Sequence, residues 1–307
     1  MNFRLTHTTQ YSYSEPVGLC RNEGCLLPRE TLQQHCLSSE LQIEPAPDEL
    51  RERLDGFGNR VSHFAIQHAH KILKVMAISE VSVSPDPEPL ALAHLVPWES
   101  VRNQLNGERP PKSLLAFPFL YDSLLLKRSQ PLAEYARPSF PAGRSLAEAC
   151  TDLMQRIYHD FKYDPGFTTI ATPLSEVLAN RRGVCQDFAH LGVACLRSLG
   201  LAARYVSGYI ETLPRPGQER LVGADASHAW FSVYAGNSGW IDFDPTNNQV
   251  PSEQHITVAW GRDFSDVSPL RGIAFGGGKH KVAVSVDVAR TSEPPRQYQA
   301  QSQSQNI

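Results

Sequence analysis

The segment from Cys185 to Leu199 constrains the fold more than any other part of this 307-residue chain. Apolar residues cover nearly every face of the predicted helix, and Gly200 follows directly, as glycine often does after a helix C-terminus. A helix that is apolar on almost all faces has to be surrounded by other elements. The sequence therefore predicts a central, buried helix with a cysteine in its first turn.

The first 84 residues predict a small antiparallel β module. Apolar and polar residues alternate near the N-terminus and again, over a longer run, between Leu73 and Val83. This alternation is typical of strands with one buried face. Residues 55–59 contain two glycines suited to a turn. Four prolines between positions 85 and 97 and a leucine-rich stretch after them predict a connector with short packing helices over 85–140.

A second and larger region, 141–291, predicts helices followed by strands. Ser145 is the expected N-cap of a helix over 145–161, with Glu148 as its capping-box partner. A second helix is expected to start near Pro173, before the central one. Strands are expected over 203–210, 229–234, 240–243 and, by alternation, 280–289.

Composition excludes several classes of function. The formal net charge of −3 provides no basic field, which argues against a nucleic-acid partner. No window approaches the roughly 18 consecutive apolar residues of a membrane span, so no membrane partner is expected. The first residues lack the layout of a secretory signal, and a cytoplasmic location is expected. The Gln- and Ser-rich tail, 292–307, predicts disorder.

The six cysteines do not resemble a disulfide framework in a chain of this length. Cys20, Cys25, His35 and Cys36 are close in sequence, but they lack a zinc-binding Cys-x-x-Cys spacing and fall in strand-like segments. We therefore expect free thiols, with no metal and no cofactor.

Cys185 is predicted to be a nucleophile because of its place in the first turn of the central helix. Backbone N–H groups at a helix N-terminus lack intrahelical partners, so they stabilise a thiolate and a tetrahedral oxyanion. Gly183, two residues earlier, is expected to let an acyl group approach the sulfur. Most buried cysteines are small core residues, a description that fits Cys195 on an apolar face of the same helix.

His228 and Asp244 are the predicted partners of this thiol. His228 comes just before the strand 229–234, and Asp244 follows the strand 240–243. If the two strands form a hairpin around 236–239, the start of one lies beside the end of the other. An imidazole that takes and returns a thiol proton, and a carboxylate that orients the imidazole, would complete a triad. The alternative is a buried histidine with an ordinary hydrogen bond, next to an aspartate in a turn.

Other residues compete for these roles. Asp242 is a weaker carboxylate partner because it lies further from the strand end. His190 is five positions beyond the cysteine, about 140° around the helix axis, and is expected to face away from the thiol. Asp187 is expected to cap helix N–H groups. His255 has no identifiable partner in the sequence.

Three short motifs, in this order, resemble the core motifs of the transglutaminase-like superfamily: Gly-Val-Cys-Gln-Asp at 183–187, Ser-His-Ala-Trp at 227–230 and Trp-Ile-Asp-Phe-Asp-Pro-Thr at 240–246. The chain is similar to bacterial transglutaminase-like cysteine proteins with an N-terminal β module. This resemblance implies that the triad is Cys185, His228 and Asp244, and that 141–291 is the catalytic core with a C-terminal strand.

The resemblance also implies an α+β fold. A transglutaminase-like or papain-like core, in which the helix bearing the cysteine packs on an antiparallel sheet, would follow the small all-β domain. A papain-type protease itself is disfavoured by spacing. Cys185 and His228 are 43 residues apart, whereas papain-like enzymes place the histidine about 130 or more residues downstream.

The expected reaction is thiolate attack on a carboxamide or peptide carbonyl, with a thioester intermediate. Amide or peptide hydrolysis is favoured; a true transglutaminase or amidotransferase acting on glutamine side chains is the second possibility, and a non-catalytic binding module is the third. The expected partners are a peptide or protein amide substrate and, for transfer, an amine co-substrate. Candidate substrate contacts, whose aromatic members also suit a core, are Tyr163, Gln186, Trp230 and Trp240.

Overall fold

The computed structural model describes residues 1–107, 111–212 and 227–291; the predicted disordered tail, 292–307, lies outside them. The described strands are β1 (Asn2–Gly24), β2 (Gln34–Glu44), β3 (Glu49–Leu54), β4 (Arg60–Ile66), β5 (His70–Val83), β6 (Lys162–Tyr163), β7 (Arg182–Gly183), β8 (Ala203–Ile210), β9 (Ser227–Tyr234), β10 (Trp240–Phe243), β11 (His255–Gly261), β12 (Arg271–Gly276) and β13 (His280–Arg290). The described α-helices are α1 (Glu88–Ala93), α2 (Trp98–Asn106), α3 (Gln130–Ala136), α4 (Leu146–Asp160), α5 (Leu174–Asn180) and α6 (Cys185–Ser198).

The N-terminal part is an antiparallel β module, as its alternating sequence predicts. The strand order of its sheet is β2–β5–β1–β4–β3. The alternation is clearest in β5, where Leu73, Val75, Ala77, Val81 and Val83 are buried. The 23-residue strand β1 pairs with β5 along its first half and with β4 near its end, which holds the module together.

The C-terminal strand joins this first sheet. β13 pairs with β1 from Phe3↔Arg290 to Tyr13↔His280, and β12 pairs with the second half of β1. The sequence-based assignment of this strand to the 141–291 core therefore differs from its place in the structure. Alternation predicts that 280–289 is a strand, but a period of two does not specify which sheet the strand enters.

The helix before the site follows the sequence prediction. Ser145 caps α4: its hydroxyl accepts from the Glu148 N–H at 3.3 Å and donates to the Glu148 carboxylate at 2.9 Å. Buried side chains at helical spacing then direct one face of α4 into the core, among them Leu146, Cys150, Leu153 and Ile157. None of the helices in the described part of the chain is long and apolar enough to cross a membrane.

The central helix α6 packs against a four-stranded antiparallel sheet with the order β10–β9–β8–β11. Most of its residues are buried. Gly192 makes the close approach to β9 possible, because a Cβ at this position would lie 2.3 Å from the ring of Phe231. The helix and the sheet are thus held at a distance that brings the start of α6 near the start of β9. Together with the β module, this arrangement is an α+β fold, as the sequence resemblance implies.

Candidate active site

Cys185 begins α6, and its side chain is only partly buried. Asp187 caps the start of the helix, as expected: its Oδ2 accepts from the Val184 N–H at 2.8 Å and from the Thr168 hydroxyl at 2.6 Å. Gly183 serves this cap. A Cβ there would lie 2.7 Å from the same carboxylate, so the missing side chain makes room for Asp187; the approach of an acyl group past Gly183 stays a prediction.

The hairpin of β9 and β10 brings His228 and Asp244 together. Phe243 pairs with Phe231, so Asp244, one residue beyond β10, comes beside the first residues of β9. His228 Nε2 and Asp244 Oδ2 are 2.7 Å apart, and both side chains are buried. The side chain of His228 is also close enough to that of Cys185 for the two groups to interact, and this interaction raises the pKa of His228. Because Nε2 faces the carboxylate, Nδ1 is the nitrogen available to the thiol.

Electrostatics stabilise a charged imidazole between two acidic groups. Burial alone would lower the pKa of His228, but hydrogen bonds and charge interactions with Asp244 and Cys185 outweigh it and raise that pKa to about 9. Burial would raise the pKa of Asp244, yet hydrogen bonds from His228, His255 and Asn247 hold it well below its ordinary value. The site therefore favours an aspartate anion and an imidazolium at neutral pH.

Two further residues, which the sequence did not identify as members of the site, contact Asp244. Asn247 Nδ2 lies 2.8 Å from Asp244 Oδ2 and 3.2 Å from His228 Nε2. His255 Nε2 lies 3.0 Å from the same Oδ2. Asn247 could have been suspected because a turn residue three positions after an aspartate commonly bonds to it. Nothing in the sequence indicates His255, because its approach depends on how β11 pairs with β8.

The competing residues lie elsewhere. Asp242 accepts from the Trp230 indole N–H at 2.9 Å, and the carboxylate that contacts His228 is that of Asp244. His190 accepts from the Phe264 N–H at 3.1 Å, and burial lowers its pKa to about 4. These placements agree with the expectations that Asp242 is the weaker carboxylate partner and that His190 faces away from the thiol.

The four predicted substrate contacts separate into two groups. Tyr163 is half exposed, interacts electrostatically with Cys185, and pairs with Gly183 in the short sheet of β6 and β7. Gln186 is partly exposed in the first turn of α6. Both lie beside the thiol, where a substrate could reach them.

Trp230 and Trp240 are not placed as substrate contacts. Trp230 is fully buried and lies under the site, edge-on to His255 with ring centroids 5.1 Å apart. Trp240 is at the end of β10 remote from Asp244, where it packs on Phe119 and beneath Arg204. Aromatic character alone could not distinguish these core positions from a substrate channel.

A metal site is a second possible interpretation of the buried cluster. In the described ranges, His228, Asp244 and His255 are the one group of three or more His, Cys, Asp or Glu residues whose ligand atoms all lie within 4.8 Å of one another. However, the Asn247 amide group donates to the same Oδ2 and lies close to His228 Nε2. An N–H donor directed at these atoms is characteristic of a hydrogen-bonded carboxylate, and we interpret the cluster in this way.

Cys185 is expected to be the thiol that reacts first. Burial raises the pKa of the thiols of Cys20, Cys25, Cys36, Cys150 and Cys195, that of Cys25 to about 12. Cys185 instead sits next to an imidazolium at a helix N-terminus. Brief iodoacetamide treatment at pH 7, followed by peptide mass spectrometry, should show modification of Cys185 at least about tenfold faster than of the other thiols. Equal or faster labelling of Cys36, which is also partly exposed, would contradict this expectation.

A thiol at a helix N-terminus, close to an imidazole that is bonded to a buried carboxylate, defines the class: this is a transglutaminase-like cysteine enzyme. The family comparisons agree. Residues 3–82 match the bacterial transglutaminase-like N-terminal region, and residues 134–245 match the transglutaminase-like superfamily. The chain belongs to this superfamily.

Individual relatives extend the comparison over the whole chain. Uncharacterized proteins of Mycobacterium bovis and Mycobacterium tuberculosis are 45% identical over 294 residues, covering 93% of this chain and 92% of theirs. A protein-glutamine gamma-glutamyltransferase of Pseudomonas aeruginosa is 29% identical over 159 residues, which is 47% of this chain and 23% of that protein. A solved structure from Cytophaga hutchinsonii, named a "putative cysteine protease", shares the fold. Its TM-score is 0.72 at 23% sequence identity, and the match covers 97% of this chain and 94% of that chain.

Proposed function

We propose that this protein hydrolyses amide bonds of peptides or proteins through a thioester on Cys185. The observation that supports this most directly is the placement of His228, which bonds to the buried Asp244 at 2.7 Å and also interacts with the Cys185 thiol. An imidazole held in this way can accept a proton from sulfur and return it to a leaving nitrogen.

In the first half of the reaction, the Cys185 thiolate attacks the substrate carbonyl carbon. The backbone N–H groups of Cys185 and Gln186, in the first turn of α6, are suited to hold the oxyanion, since the Val184 N–H is already bonded to Asp187. The tetrahedral adduct then collapses, the C–N bond breaks, and the His228 imidazolium gives its proton to the leaving nitrogen. Ammonia or an amine departs and a thioester remains.

In the second half, water attacks the thioester and His228 takes its proton. Breakage of the C–S bond releases a carboxylic acid and restores the thiolate–imidazolium pair. Half-exposed Tyr163 and partly exposed Gln186 are proposed to contact the substrate beside the sulfur. Asp244 remains an anion throughout, because its carboxylate oxygens are surrounded by N–H donors.

The test is a product analysis with a defined mixture of peptides that contain glutamine, asparagine and internal peptide bonds. We expect ¹⁸O from labelled water in a newly formed carboxylate, and, after acid quenching, an acyl adduct on Cys185 that hydroxylamine removes. Protein whose Cys185 has been blocked with iodoacetamide is the control and should form no product. Turnover that survives the block, or no turnover on any amide by unmodified protein, would refute the proposal.

Amine transfer is the second candidate, and the name of the Pseudomonas aeruginosa relative favours it. The same thioester would pass its acyl group to an amine in place of water. Adding a biotinylated primary amine to the peptide mixture distinguishes the two fates. Biotinylated peptides in excess of ¹⁸O-labelled acids would identify a transglutaminase, whereas the absence of both products despite fast Cys185 labelling would favour a binding module on this scaffold.

A further inference from the structure

His255 is a buried histidine whose hydrogen bond ends on the triad carboxylate. Its side chain is 2% exposed, and its Nε2 lies 3.0 Å from Asp244 Oδ2. An ionised carboxylate has no hydrogen to donate, so His255 Nε2 has to carry the proton in this contact. Its Nδ1 has no hydrogen-bond partner in the described structure. The neutral Nε2–H tautomer satisfies this contact without burying a second, unpaired N–H group.

The carboxylate of Asp244 is held from several directions. Oδ2 is shared by His228, Asn247 and His255, and Oδ1 accepts from the backbone N–H groups of Thr246 and Asn247 at 2.9 and 3.2 Å. The backbone contacts and Asn247 all come from the turn directly after Asp244. His228 reaches Oδ2 from the neighbouring strand β9, whereas His255 reaches it from β11 and so ties the turn to the opposite edge of the sheet.

The edge strand that begins with His255 is itself held by the N-terminal module. β11 has β8 on one side only. On its other side, Gln34 bonds to both backbone groups of Thr257, with Nε2 to the carbonyl at 2.7 Å and the N–H to Oε1 at 2.8 Å. Asn59 bonds in the same way to Trp260, at 2.8 and 2.9 Å. Two side-chain amides thus take the place of a neighbouring strand.

We propose that His255 is a positioning residue for the triad, and that the N-terminal β module keeps it in place by pairing with β11. The inference rests on the proposed function of Cys185. His255 fixes the Asp244 carboxylate, the carboxylate fixes the ring of His228, and the ring presents Nδ1 to the sulfur. This assigns the β module a direct part in organising the site rather than only in covering an edge.

The test measures how the rate of Cys185 alkylation depends on pH in three variants of His255. This measurement requires no substrate. His255→Leu removes the N–H donor; we expect about a tenfold slower reaction at pH 7, because His228 is no longer held in place beside the sulfur. His255→Gln can place an amide N–H near the position of Nε2 and should recover the rate to within about threefold. His255→Asn, whose side chain is one methylene group shorter than that of glutamine, should not recover the rate.

The control is His7→Leu, which removes another buried histidine hydrogen bond, that between Nδ1 and the Tyr209 hydroxyl at 2.8 Å. It should leave the alkylation profile unchanged. If His255→Leu folds poorly, the Gln and Asn variants decide the question, because both are polar and only their reach differs. Wild-type alkylation profiles in folded His255→Leu, or equal profiles for Gln and Asn, would overturn the proposal. Failure of amide turnover would refute the proposed function. The role of His255 would still be decided by the alkylation profiles, which require no substrate.

A second pair of variants tests whether the N-terminal β module holds His255 in place. Gln34→Ala removes both bonds to Thr257, and we expect it to change the alkylation profile in the direction of His255→Leu, by about threefold. Gln42→Ala changes a partly exposed glutamine of the same module whose side chain, among the described contacts, bonds only to Glu40, and it should have no effect. Identical profiles for the two glutamine variants would show that the module does not hold His255.

Discussion

Replacing His228 by alanine is expected to lower kcat/KM for amide hydrolysis by about 10³-fold or more. The variant loses the proton acceptor for the thiol and the proton donor for the leaving nitrogen. It also loses the positive charge beside Cys185, since the pKa of His228 is raised to about 9 and the imidazole is charged at neutral pH. Iodoacetamide labelling of Cys185 at pH 6 to 7 should therefore slow together with turnover.

The two measurements separate chemistry from folding. His190→Ala is a matched control, because it also removes a buried histidine but one that bonds to the Phe264 N–H and not to the thiol. If both variants are folded and only His228→Ala is slow, the imidazole acts on the sulfur. A His228→Ala protein that labels and turns over at the wild-type rate would contradict the triad.

Replacing Asp244 by asparagine is expected to lower kcat/KM by between about 10²- and 10⁴-fold with little change in volume. The amide lacks the negative charge that raises the pKa of His228, and it can present an N–H where Nε2 now has an acceptor. The folded-state pKa of His228 lies above its ordinary 6.5, so the imidazolium is present below about pH 9 and lost above it. In Asp244→Asn this upper pH limit should move down towards 6.5.

Asp242→Asn is the matched control for this charge. It removes the other carboxylate of the same strand, but an asparagine oxygen can still accept from the Trp230 indole N–H, now 2.9 Å from Asp242. We expect its kcat/KM to stay within about threefold of wild type, with an unchanged upper pH limit. A larger loss in Asp242→Asn than in Asp244→Asn would show that Asp242, and not Asp244, is the carboxylate that orients His228.

Local sequence signals predicted the central elements well. The apolar segment after Cys185 is the buried helix α6, and Ser145 and Glu148 form the expected cap of α4. The strands of the hairpin that carries His228 and Asp244 begin and end within two residues of their predicted positions. These features depend on periodicity, capping and turn residues, which act over a few positions of the chain.

Features that join distant segments were predicted less well. The strand 280–289 was recognised, but its pairing with β1 was not. Trp230 and Trp240 look alike in sequence, yet one lies buried beneath the site and the other at the remote end of β10. The missing side chain of Gly183 makes room for Asp187, which the sequence did not indicate.

The order of cysteine, histidine and aspartate, each at the edge of a regular element, was determined by the sequence alone, because helix and hairpin geometry follow from local patterns. The tertiary structure decided which groups surround Asp244. His255 reaches the carboxylate from β11, and β11 is paired with side-chain amides of Gln34 and Asn59 more than 200 residues away in the chain. Contacts between residues so far apart arise from sheet order and packing, which no local pattern specifies.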